Sequence, residues 1–122
     1  MLGYVTLGTN DRARAIAFYD ALLGTLGHGR IFEDDALVLW GTSFESPAVG
    51  VTPPFDGKPA TVGNGVMVAM QMPDREAVDA FYQKALELGG TDEGAPGQRI
   101  EGFYAGYFRD PDGNKLNAFC LG

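Results

Sequence analysis

Tyr4–Gly27, YVTLGTNDRARAIAFYDALLGTLG, and Met67–Gly90, MVAMQMPDREAVDAFYQKALELGG, carry one pattern twice, 63 positions apart. At that offset Val5 falls on Val68, Asp11 on Asp74, Arg12 on Arg75 and Ala17 on Ala80. Phe18 likewise falls on Phe81, Tyr19 on Tyr82, Leu23 on Leu86 and Gly27 on Gly90. Two copies with a period near half the chain imply a pair of similar modules, not a many-unit solenoid.

Within the first copy, Tyr4–Gly8 alternates as a strand does. Thr9-Asn10-Asp11 then offers a helix start, because Asn and Asp accept bonds from free backbone N–H groups. Ala15, Phe18, Leu22 and Leu23, with Ile16 and Tyr19 beside them, form an apolar face at helical spacing, and Gly24 and Gly27 end it. Residues 30–33, 36–40 and 48–52 read as three further strands, with a tight turn at Asp34-Asp35. Pro53–Gly65, with three prolines and three glycines, is the connector. The pattern then restarts: a strand over 66–72, and a helix opened by Pro73-Asp74 and stopped by Gly89-Gly90. Its buried stripe is Val78, Phe81, Ala85 and Leu88. Strands follow around 98–100, over 103–109 and over 115–121. The last two are joined by Asp110-Pro111-Asp112-Gly113-Asn114, a strong turn sequence. Each half is therefore strand–helix–strand–strand–strand.

A length of 122 residues suits one domain, with module 1 over about 1–53, a connector at 54–65 and module 2 over about 66–122. The net charge of -7 opposes binding to phosphate backbones and anionic membranes, so no nucleic-acid or membrane partner is expected. It weakly favours a cationic ligand, through screened long-range attraction. The single cysteine, Cys120, excludes an internal disulfide and fits a reducing compartment. No apolar run approaches the roughly 20 residues of a bilayer span. Met1-Leu2-Gly3-Tyr4 lacks the basic and apolar regions of a signal peptide, which makes the cytoplasm the expected location.

The residues Tyr4–Gly8 with Ala17–Leu23, the connector segments 54–60 and 63–65, and Phe108–Leu116 together resemble the vicinal-oxygen-chelate superfamily of glyoxalases, bleomycin-resistance proteins and extradiol dioxygenases. The likeness spans essentially the whole chain. It implies an α+β fold in which two βαβββ modules form a curved mixed sheet around a cavity. Metal-dependent members hold a divalent ion there through His and Glu from the first and last strands of each module.

Carried onto this chain, those positions are Tyr4, Met67, Asn117 and a place near Gly50. No carboxylate occurs between Glu45 and Asp56. A phenol ligates hard ions only when deprotonated, with a pKa near ~10. Thioether and amide are poor ligands for such metals. The only histidine, His28, lies away from these positions, and Cys120 has no second histidine to serve it as a base. No metal site, cofactor or catalytic residue is therefore assigned. The ligand-binding cavity is expected to involve Tyr4, Met67, Asn117, Gly50, Trp40 and Tyr104. Alternation alone leaves open whether Trp40, Phe32, Tyr104 and Tyr107 line a cavity or the core beneath it. It also leaves open whether Tyr4 and Met67 simply fill the space an ion would take.

The resemblance implies metal-independent binding of a small amphipathic organic molecule, by sequestration or sensing, in a homodimer. The alternatives are a lyase, isomerase or dioxygenase-like enzyme with an atypical site, with Tyr4 as proton donor and Asn117 orienting an oxyanion, or a module without a ligand.

Overall fold

Asp11 and Asp74 open the two helices in the same way. Asp11 accepts from the Arg14 amide at 3.0 Å, and Asp74 from the Ala77 amide at 2.8 Å. Each cap satisfies a helix N–H that has no partner within the helix, a contribution of about 1 kcal/mol. The helices are α1 (Arg12–Gly24) and α2 (Arg75–Glu87), so both ends keep the 63-residue offset. The computed structural model describes residues 1–122 and comprises two compact units, Met1–Val62 and Gly63–Gly122.

In the first unit the strands are β1 (Tyr4–Gly8), β2 (Gly29–Glu33), β3 (Val38–Gly41) and β4 (Ala48–Thr52). In the second they are β5 (Val68–Gln71), β6 (Thr91–Ile100), β7 (Phe103–Arg109) and β8 (Lys115–Leu121). Each unit is βαβββ, and each forms an open, mixed four-stranded sheet, ordered β1-β4-β3-β2 and β5-β8-β7-β6. The first and last strands of each unit pair in parallel, and the other pairs are antiparallel. The fold class is thus the α+β arrangement of paired βαβββ units. No helix is long and apolar enough to cross a membrane.

One face of each sheet carries its helix. In the first unit Trp40 packs on Tyr19 of α1, with ring centroids 5.6 Å apart, above Leu22, Val38 and Val51. In the second, Phe108 packs on Phe81 of α2 at 6.0 Å, with Val78 and Leu116 buried around them. Burying each large apolar side chain stabilises by roughly 1.5–3 kcal/mol, so these two layers hold the units together. Asp20 ties the first layer to its edge: it accepts from Trp40 Nε1 at 2.8 Å and from Arg30 Nε at 2.9 Å. Those bonds, the Arg30 bond foremost, hold its carboxyl below the usual range despite partial burial.

The connector is anchored at Ala60 to the residue before the cap of α1. Asn10 accepts from the Ala60 amide at 2.6 Å and donates to its carbonyl at 3.1 Å. Two expectations need correction. The short strand expected around 98–100 is the end of a ten-residue β6, whose pairing with β7 shifts register three times. Tyr82, absent from the expected stripe of α2, is buried and donates to Asp92 at 2.7 Å, whereas Leu88 is only half-buried at the helix end.

Burial and the Asp92 carboxylate push the Tyr82 phenol up to about 12. The folded state therefore binds this proton more tightly than the unfolded chain, whose phenol titrates near ~10. The resulting stability is complete below pH ~10 and is lost as pH rises toward about 12. Urea unfolding at stepped alkaline pH should show this loss, and Tyr82→Phe should flatten it. An unchanged slope in the variant would assign the alkaline loss to other groups.

Candidate functional site

Pairing register decides which side chains share a face. Thr6 pairs with Gly50 in the first unit, and Ala69 pairs with Asn117 in the second. Thr6 and Ala69 are themselves 63 residues apart. Gly50 and Asn117 are therefore equivalent positions, despite unequal loops before them. Both lie on the face opposite the helix. On the same face Tyr4 stands two residues before Thr6, while Met67, two residues before Ala69, precedes β5.

Trp40 and Tyr104 do not join them. Trp40 pairs with Val49 in register, on the helix-covered face, and is 1% exposed. Tyr104 donates to Asp79 of α2 at 2.6 Å, and Arg75 of α2 stacks over its ring at 4.8 Å. That bond, followed by desolvation, pushes the Tyr104 phenol upward. Both rings are thus part of the helix–sheet layers. Even spacing along a strand gives parity, but which parity meets the helix is set by the neighbours. Tyr107, Phe103 and Phe119 occupy the helix-free face instead. The last two rings stack at 5.3 Å, and Tyr107 lies opposite Asn117.

The two equivalent positions differ sharply. A Cβ at Gly50 would collide with Leu39 Cδ2 and lie 2.7 Å from the Val38 carbonyl oxygen. Leu39 pairs with Gly50 and is 3% exposed, so the leucine occupies the space that a donor side chain would need. Gly50→Ala should therefore cost about 2 kcal/mol by overpacking, read as a lower thermal midpoint. A change under half that size would mean that Leu39 gives way freely. Asn117, by contrast, is 1% exposed, and its Oδ1 is buried without a hydrogen-bond partner.

These residues do not fit a divalent ion. Tyr4 is 56% exposed, Met67 lies just outside β5, and Gly50 has no side chain and no room for one. His28 precedes β2, which is the edge strand farthest from β1. No group of three or more His, Cys, Asp or Glu side chains comes together to hold a metal. Cys120 is buried on the face that carries α2, in register with Tyr104.

Paired βαβββ units with this strand order define a class of α+β proteins, and the comparisons give the family within it. The model of the Glyoxalase/Bleomycin resistance protein/Dioxygenase superfamily matches residues 1–118, and the chain belongs to that superfamily. A crystal structure of a glyoxalase/bleomycin resistance protein from Albidiferax ferrireducens T118 is similar over 100% of this chain and 99% of that one, at 38% identity and a TM-score of 0.91. A family enzyme from Burkholderia phytofirmans PsJN is similar over 98% of each chain, at 18% identity and 0.79. Lactoylglutathione lyase from Agrobacterium tumefaciens is similar over 98% of this chain and 92% of its own, at 20% identity and 0.73. These last two show likeness of fold alone. A comparison with curated proteins gives no match.

Proposed function

We propose that this chain is a metal-independent small-molecule-binding protein of its superfamily, which sequesters or senses an amphipathic organic ligand. The observation that carries the reading is the Asn117 Oδ1 atom, buried and unpartnered on the helix-free face. An orphaned acceptor costs roughly 1–3 kcal/mol, a cost that a ligand O–H or N–H would remove. Tyr107, Phe103 and Phe119 supply aromatic surface on the same face. The poor donor set at Tyr4, Met67, Gly50 and Asn117 supports the metal-independent part of the reading.

Asn117→Val tests both sides. Removing the orphaned oxygen should raise stability by about 1–2 kcal/mol in the ligand-free protein. The same change should abolish binding of compounds found by a thermal-shift screen of amphipathic molecules. Unchanged affinity would place the site elsewhere. Stoichiometric zinc, nickel or iron in elemental analysis of the purified protein would overturn metal independence. A homodimer belongs to the same reading by family resemblance. Light scattering should then give twice the 13.0 kDa chain mass, and a monomer mass would remove that element.

A further inference from the structure

We propose that the helix-free face of the second unit takes a small organic acid that also carries a hydroxyl or N–H donor. The inference rests on the ligand-binding reading above and names the chemistry of its ligand. Two cations meet on one ring there. The Arg99 guanidinium carbon lies 5.2 Å from the Tyr107 ring centroid, and Lys115 Nζ lies 5.5 Å from it. Neither cation is in an ion pair, whereas Arg14, Arg30 and Arg109 each have a carboxylate. Arg99 is nonetheless held in place, because its Nη2 donates to the Ala95 and Ala105 carbonyls. Its Nε–H and Nη1–H groups have no partner and stay available to donate single hydrogen bonds to a carboxylate.

Register puts the orphaned acceptor beside these cations. Tyr107 pairs with Asn117, and Lys115 precedes Asn117 by two residues on the same face of β8. At about 3.3 Å rise per residue their Cα atoms are about 7 Å apart. Arg99 on β6 and Lys115 on β8 flank Tyr107 from the two sides of β7, so a molecule that suits the set presents a carboxylate to one of these cations and a donor to Asn117 Oδ1. Its body rests on the Tyr107 side of the sheet, next to the stacked Phe103 and Phe119 rings.

The sign of this patch opposes that of the chain, whose net charge is -7. Distant charges are screened beyond about 8 Å at physiological salt, while charges in contact with the ligand are not. Contact selects the acid, even though the long-range field weakly favours cations. Glu93, on the strand beside β7, is already paired with Arg109.

Heteronuclear NMR titration of the full chain separates the possibilities with 4-hydroxyphenylacetate, its 4-methoxy ether, tyramine and inorganic phosphate. The hydroxy acid should shift the Tyr107 and Asn117 amides, with affinity at least tenfold above that of tyramine and above that of the ether. Arg99→Gln with Lys115→Gln should weaken it at least tenfold, whereas Arg14→Gln on α1 should not. Tyramine binding there as well as the acid would overturn the inference and leave the ligand-binding reading intact. Phosphate equalling the acid would remove its organic part. Silence of the face toward every probe and every compound of the amphipathic screen would end both.

Discussion

Trp40→Ala should remove about 3–5 kcal/mol of stability, the range for emptying a large aromatic site in a packed core. Marginal stability of about 5–15 kcal/mol makes that a fifth or more of the total. Two losses combine. The indole ring sits 1% exposed on Tyr19, and its Nε1 is a donor to Asp20. Asp20 would keep only Arg30, at the edge of the same layer. Trp40→Phe separates the parts, because it keeps an aromatic ring and loses the indole N–H. It should cost about 1–2 kcal/mol. Urea unfolding followed by far-ultraviolet circular dichroism gives both values without needing the tryptophan signal. A loss below about 1 kcal/mol for Trp40→Ala would show that the layer does not depend on this residue, and would reopen its assignment to the helix-covered face.

Asp110→Ala should cost about 3 kcal/mol and also weaken the ligand binding proposed for the second unit. One carboxylate organises the β7–β8 turn. Its Oδ1 accepts from the Asp112 amide at 3.0 Å and the Asn114 amide at 2.9 Å, and its Oδ2 from Asn114 Nδ2 at 3.0 Å. Asn114 is buried, so the change removes two hydrogen bonds from a site that water does not reach. Gly113, at φ 93°, takes the left-handed conformation that closes the turn. Beyond stability, this turn sets the register that places Tyr107 opposite Asn117. Asp110→Asn keeps one acceptor and should retain about half of the stability. If Asp110→Ala unfolds at the parental urea concentration, the turn is redundant and the register is set by the strand side chains alone.

Local chemistry made much of the fold legible. The caps Asp11 and Asp74, the duplicated helices, strand Ala48–Thr52 and the two last strands all follow from side-chain spacing and turn residues. β6 was not legible over most of its length, because Gly94, Pro96 and Gly97 read as loop and pairing with β7 overrides that composition. Of the candidate site positions, the placement of Tyr4, Gly50 and Asn117 on helix-free faces was legible, since the repeat fixes their register. Trp40 and Tyr104 fell on the other face, because one residue of parity exchanges the two sides and only the docked helix chooses between them. The obstruction of Gly50 by Leu39 depends on a cross-strand pair that sequence spacing does not reveal. Arg99 was visible as a charge, but not as one fastened over Tyr107.

Where β6 lies has a bearing on how the chain behaves in a crowd. It is one of the two edge strands of its sheet and the longest strand in the protein, so an even ladder of free amides and carbonyls along it would invite a neighbouring chain to pair with it. Its three slips of register, the imino nitrogen of Pro96 and the positive φ of Gly94 break that ladder into pieces too short to seed a growing fibril. The irregularity that hid this strand from a reading of composition is also what keeps it from recruiting copies of itself.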